Sequence, residues 1–193
     1  MTHIHTIPLD EAEGELKTLY DEQLANAGFV SNYHQLLSFR PETARAYTAL
    51  VSTFRPKMRL RRYELIMMAG ARAIRCRYCL VVHGSILLKN GFSEDQLAAV
   101  IHDYHHADLT AEEVAIMEFA EKLSGDAYKM TQADFDALRE HGLSDEEILN
   151  IALAAAARNF QSRLIVSFGV ELEEKYKPLE ARLAPVLDVL TGG

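Results

Sequence analysis

Residues 75–84 read RCRYCLVVHG, and both cysteines of the 193-residue chain lie within them. On an α-helix each residue advances about 100°, so Cys76, Cys79 and His83 fall within roughly 60° of one another and share a face. A three-residue separation brings helix Cα atoms to about 5 Å, inside the range a disulfide bridges, so the pair can cycle between dithiol and disulfide. A helix starting near Cys76 would turn free N–H groups and the positive end of its dipole toward a thiolate, and Arg75 and Arg77 would add charge of the same sign. His83, one turn beyond Cys79, has the reach to take the thiol proton and return it. Cys79 is therefore assigned the more activated role. Glu64 begins a strongly apolar stretch in which a lone carboxylate is costly, and a hydrogen-bonded partner such as His83 would account for it.

Other chemistry fits a bare C-x-x-C, including metal binding, and the spacing also arises by coincidence. Zinc could use Cys76, Cys79, His83 and Glu64. Structural zinc sites, however, usually present four Cys/His ligands, often across a turn rather than along one helix, so no metal or cofactor is expected. A thioredoxin-like site would follow a strand, and no strand pattern precedes this motif. His102, His105 and His106 have no clear ligand spacing and sit with Asp103 and Asp108, which reads as a solvated polar loop.

The elements that must position these residues read as helix after helix, with start signals before apolar stripes of 3.6-residue period and no period-2 strand. The expected fold is an all-α, single-domain helical bundle over residues 1–193. A first helix is expected over Leu9–Ala27, a short element around Tyr33–Leu37, and a third helix from Arg40-Pro41 to Phe54, proline being tolerated in a first turn. LIMMAGARAI, within 60–74, is apolar nearly all round, the pattern of a helix buried on most sides. The motif helix is expected over 77–90, stopped by Gly91. Capping boxes at Ser93-x-x-Gln96, Thr110-x-x-Glu113 and Ser144-x-x-Glu147 open further helices, and Thr131 opens another ending near Gly142. On the Ser144 helix, Ile148, Ile151, Ala152, Ala155 and Ala156 form a small-residue face suited to close packing. A last helix is expected over Glu171–Leu190.

Composition narrows the function class. A net charge of −8 argues against general nucleic-acid binding, which needs a cationic face. Charge is nevertheless segregated: residues 55–77 hold eight Arg/Lys against the single acid Glu64, or +7, which leaves −15 for the remainder. This segment is expected to serve as an anion-attracting rim or as one side of intersubunit salt bridges, the second being the commoner use. The N-terminus MTHIHTIPLDEAEGEL has no basic-then-apolar leader pattern, and no apolar run approaches the ~18 residues that span a bilayer. With both cysteines in one C-x-x-C, the expectation is a cytoplasmic protein that meets neither membrane nor nucleic acid.

Glu64, eleven residues, Cys76-x-x-Cys79, three residues, then His83: in this order and spacing the sequence resembles the alkylhydroperoxidase D-like group of the carboxymuconolactone decarboxylase superfamily. The stretch LTAEEVAIMEFAEKLSGDAYKMTQADFDALREHGLSDEEILNIALAAAARNFQSRL is similar to the C-terminal half of its peroxidase-related branch, so the likeness covers about residues 40–172. The resemblance implies a small all-α homo-oligomer that reduces hydroperoxides. Cys79 would be the peroxidatic thiol, Cys76 the resolving thiol, His83 the base and Glu64 its relay partner. The best-known members carry histidine before the second cysteine where this chain has Tyr78, and a phenol with pKa near 10 donates a hydrogen bond but does not relay protons at neutral pH. The lactone-decarboxylating members generally lack the cysteine pair, a weaker match.

The expected function is thus an antioxidant thiol peroxidase whose partners are a hydroperoxide substrate, an external dithiol reductant and further copies of itself. A disulfide reductase that never meets peroxide, and a non-catalytic helical oligomer that reports redox state, are the alternatives.

Overall fold

The computed structural model describes residues 2–192 and is all-α among them. The helices are α1 (Gly14–Ala27), α2 (Asn32–Leu36), α3 (Pro41–Ser52), α4 (Leu60–Ala73), α5 (Arg77–Lys89), α6 (Glu94–Asp103), α7 (Ala111–Asp126), α8 (Gln132–Glu140), α9 (Asp145–Ser167) and α10 (Lys177–Thr191).

α4 is the hub. Every residue from Glu64 to Ala71 is buried, and α5, α7 and α9 pack around it. A helix apolar on all sides is stable only where neighbours cover it completely, as they do here. Gly70 lets α9 approach closely: a Cβ there would stand 3.0 Å from Arg158 Cγ. α10 lies across α5 and α6, while α1 packs on α3 over a small separate core of Ala12, Leu16, Tyr20 and Val30.

The capping boxes at Ser93, Thr110 and Ser144 all form, side chain to backbone in both directions, as the spacing predicts. Thr131 makes a further reciprocal box with Asp134. The expected first helix divides into a 3-10 turn at Leu9–Glu11 and α1 proper, because Gly14 adopts a positive φ of 53°. Residues 171–176 are not helical throughout: the chain is extended before a 3-10 turn at Glu174–Tyr176, and α10 begins only at Lys177 with proline in its first turn. His102 lies in the last turn of α6, and His105 and His106 lie in a 3-10 turn rather than a loop, where His106 pairs with Asp103 at 2.7 Å.

Five of the eight basic residues of the 55–77 segment pair with acids of the same chain. Lys57 pairs with Glu146, Arg61 with Glu113, Arg62 with Glu112 and Glu147, Arg72 with Glu121, and Arg77 with Glu180 and Asp188. These pairs fasten α4 and α5 to α7, α9 and α10. The Lys57–Glu146 pair is exposed and contributes at most about 1 kcal/mol, while the pairs of Arg62, Arg72 and Arg77 are partly buried. Among the described residues no helix is long and apolar enough to cross a membrane.

Candidate functional site

The turn between α4 and α5 sets the cysteines. Cys76 N–H bonds Ala71 O at 2.9 Å and Arg75 N–H bonds Arg72 O at 2.9 Å, the paired bonds of a Schellman motif, with Arg75 in the left-handed region at φ 56°. Cys76 is thereby both the last residue of that motif and the N-cap of α5, and Cys79 falls in the first turn of α5, where helix N–H groups have no partners of their own.

Both thiols are free and essentially inaccessible, with Cys76 Sγ donating to Cys79 Sγ at 2.9 Å. Ser162 Oγ donates to Cys79 Sγ at 3.3 Å from α9. Burial opposes ionisation of Cys79. The hydrogen bond from Cys76, the charge of Arg158, the hydroxyl of Ser162 and His83 together outweigh it and bring the thiol down to about 5. Cys76 moves the other way, well above the ordinary thiol range, held there by its hydrogen bond to Cys79 and by burial. The pair therefore carries one stabilised negative charge, centred on Cys79.

Glu64 Oε2 lies 2.7 Å from His83 Nδ1, and both side chains are largely buried. The other ring nitrogen, Nε2, hydrogen-bonds Arg158 Nη1. A guanidinium only donates, so Nε2 accepts, and the ring proton sits on Nδ1 and points at the carboxylate. With both nitrogens taken, His83 makes no direct hydrogen bond to a sulfur. The expected direct proton transfer from Cys79 to His83 is thus replaced by an arrangement with Arg158 alongside. Spacing on one helix had placed His83 near Cys79 but could not register a guanidinium arriving from α9.

Arg77 likewise does not serve the thiols. Its guanidinium turns outward to Glu180 and Asp188, and Arg75 is exposed. The cation that matters is Arg158, a residue that sequence reasoning passed over; its signal is a lone arginine after four alanines in the otherwise small, apolar run ALAAAARNF. Ser162, Gln161 and Tyr33 were also missed, since polar residues at these positions read as ordinary helix surface.

Tyr78 is brought beside the motif but not onto it. Its hydroxyl donates to Glu173 Oε1 at 2.7 Å, and the same oxygen accepts the Asn32 N–H at 2.7 Å. Burial and the Glu173 carboxylate push the phenol up, which keeps it protonated as a donor. A cavity of about 160 Å³ opens here, bounded by Phe29, Tyr33, Tyr78 and Val82 on its walls and by His83 and Arg158 on its polar side. Neither cysteine lines it.

The carboxymuconolactone decarboxylase family model matches residues 41–122, the span that holds Glu64, both cysteines and His83. The chain is also similar to the alkylhydroperoxidase core structure of a peroxidase-related protein from Ralstonia eutropha JMP134, at 28% identity and a TM-score of 0.81 over 91% of this chain and 94% of that one. The family-model match and this likeness support the alkylhydroperoxidase D-like and carboxymuconolactone decarboxylase superfamily. This superfamily is one of enzymes. A peroxidase-related protein from Silicibacter sp. TM1040 has a similar fold at 23% identity and a TM-score of 0.78, covering 91% of this chain and 93% of that one. The debrominase Bmp8, solved with 2,3,4-tribromopyrrole, shares the superfamily fold at 18% identity and a TM-score of 0.75 over 92% and 95% of the two chains. No curated protein matches the chain.

Proposed function

We propose that the protein is a thiol peroxidase that reduces organic hydroperoxides. The observation that carries this reading is a buried pair of free thiols 2.9 Å apart in which Cys79 is held as a thiolate near neutral pH. The Cys79 thiolate attacks the distal oxygen of ROOH; the O–O bond breaks, an S–O bond forms, and the alkoxide leaves as ROH on taking a proton. Cys76 then attacks the Cys79 sulfenic acid, the S–S bond forms, and water departs. An external dithiol supplies two electrons and two protons to reopen the disulfide. Glu64 and His83 orient the polar side of the cavity, and a water or the substrate itself carries the proton between ring and leaving group.

The superfamily match and the likeness at 28% identity to a peroxidase-related protein support this assignment. The likeness to a debrominase falls below the identity at which more than the fold transfers.

The test is stoichiometric. Reduced protein mixed with an alkyl hydroperoxide should lose two thiols per peroxide at a rate well above that of free thiols. A rate no faster than that of free cysteine would overturn the reading.

A further inference from the structure

We propose that Arg158 is the counter-charge of the Cys79 thiolate, supplying by a permanent cation what a titrating residue beside the cysteines would otherwise supply. This rests on the proposed thiol chemistry but concerns the thiolate itself rather than peroxide.

The placement follows from two registrations between α5 and α9. Ser162 bonds Cys79, and one turn away on each helix Arg158 bonds His83, so positions 79 and 83 of α5 face 162 and 158 of α9. Arg158 therefore lies on the α9 face that carries the Cys79 contact. It is buried to 3% exposure, and its hydrogen bonds go only to neutral acceptors, His83 Nε2 and Gln161 Oε1, leaving Nε with no partner. A guanidinium in such surroundings is costly unless an anion answers it. Of the two carboxylates near it, Glu64 is turned to the far side of the His83 ring, and Glu173, which lines the same cavity, accepts hydrogen bonds from Tyr78 and the Asn32 N–H and none from Arg158.

The other ionisable groups around it are the phenols Tyr33 from α2, Tyr47 from α3 and Tyr63 from α4, all held protonated by burial above all, and the thiol Cys76. The anion left to answer Arg158 is Cys79. Tyr78, between the two cysteines, is engaged with Glu173 and offers no charge.

The consequence is redox coupling. Closing the disulfide removes the anion and strands the guanidinium among neutral groups, so the dithiol form is favoured and the disulfide is a ready oxidant. The step is a two-electron exchange: an external dithiol is oxidised to its disulfide and gives up two electrons and two protons, one proton returns to Cys76, the other is released to solvent, and Cys79 remains a thiolate.

The experiment titrates thiolate absorbance and alkylation rate by iodoacetamide against pH for wild type, Arg158→Met, Arg158→Gln and Arg158→Lys. The disulfide equilibrium of each is then measured against glutathione. Neither readout needs peroxide turnover, so the outcome is separate from that of the peroxidase test. The Met and Gln variants should move the thiolate midpoint up by about one unit or more, the tenfold loss of thiolate that removing a charge-assisted contact implies, and should make the disulfide harder to reduce. Arg158→Lys, which keeps the charge, should stay near wild type. A folded Met or Gln variant with an unchanged midpoint and unchanged disulfide equilibrium would overturn the proposal.

Discussion

Ser162 donates its hydroxyl to Cys79 at 3.3 Å from the middle of α9, one helical turn from the residue that bonds His83. The thiol pair of α5 is thus finished by a residue 83 positions further along the chain, and each contact has a separable effect.

Replacing Ser162 with alanine removes one hydrogen bond to the charged sulfur, a contribution of about 1.5 kcal/mol that corresponds to roughly one pKa unit. The Cys79 titration midpoint should rise by that amount, with the thermal midpoint little changed because the buried volume hardly differs. An unaltered titration would mean that the hydroxyl is only packing.

The reactive form of Cys79 should persist far into acid. A thiol held at about 5 instead of its ordinary 9.0 is anionic at every pH above 5, so the alkylation rate should stay flat from neutrality down to about pH 6 and fall as pH drops through 5. A midpoint in the ordinary thiol range would refute the electrostatics described for the site.

Cys76→Ala separates the two thiols. Peroxide should then consume one thiol rather than two and leave a sulfenic acid on Cys79 that dimedone traps. Loss of the Cys76 hydrogen bond should also raise the Cys79 midpoint. If Cys79→Ala instead gave a trappable sulfenic acid at Cys76, the roles of the two cysteines would be reversed.

Glu64→Leu leaves His83 Nδ1–H without its acceptor in a buried position. Stranding that donor should cost about 1–3 kcal/mol, read from the denaturant midpoint, and should lower peroxide turnover. Glu64→Gln keeps an acceptor and should recover most of the stability. Equal losses for the two variants would show that charge, rather than the hydrogen bond, is what the site requires.

Self-association is proposed from a surface that shares only Ala156 with the small-residue face the sequence indicated. Lys57, Arg61, Arg62, Arg72 and Arg77 are answered within the chain, and Ile148, Ile151 and Ala155 are buried in its own core. What remains is an apolar groove between α3 and α9 rimmed by exposed Leu50 and Phe160, with exposed Leu149 further along α9. A second copy covering this groove should give a dimer or larger species in sedimentation at micromolar concentration, and Leu50→Glu with Phe160→Glu should return it to monomer. A wild-type monomer would remove the proposal.

Local signals in the sequence were sufficient for much of the architecture. Ser93, Thr110 and Ser144 each close a capping box whose two bonds span only three residues, so nothing distant is needed to form them. The all-apolar character of 65–71 likewise marks a central helix without saying what surrounds it. Weaker boundaries depended on context: the chain from 171 to 176 stays mostly extended although its composition is helical, with Asn32 and Tyr78 both bonding Glu173 there.

At the site, helical spacing alone determined that Cys76, Cys79 and His83 share the start of one helix, because 3.6 residues per turn is a property of the backbone. It also marked Glu64 as a carboxylate in need of a partner. Only the tertiary structure decided which charge stands beside the thiolate. Arg77, adjacent in sequence, is drawn outward by Glu180 and Asp188, while Arg158 is carried inward by α9 packing on Gly70 of α4. Electrostatic effects depend on distance and burial, which chain separation does not encode.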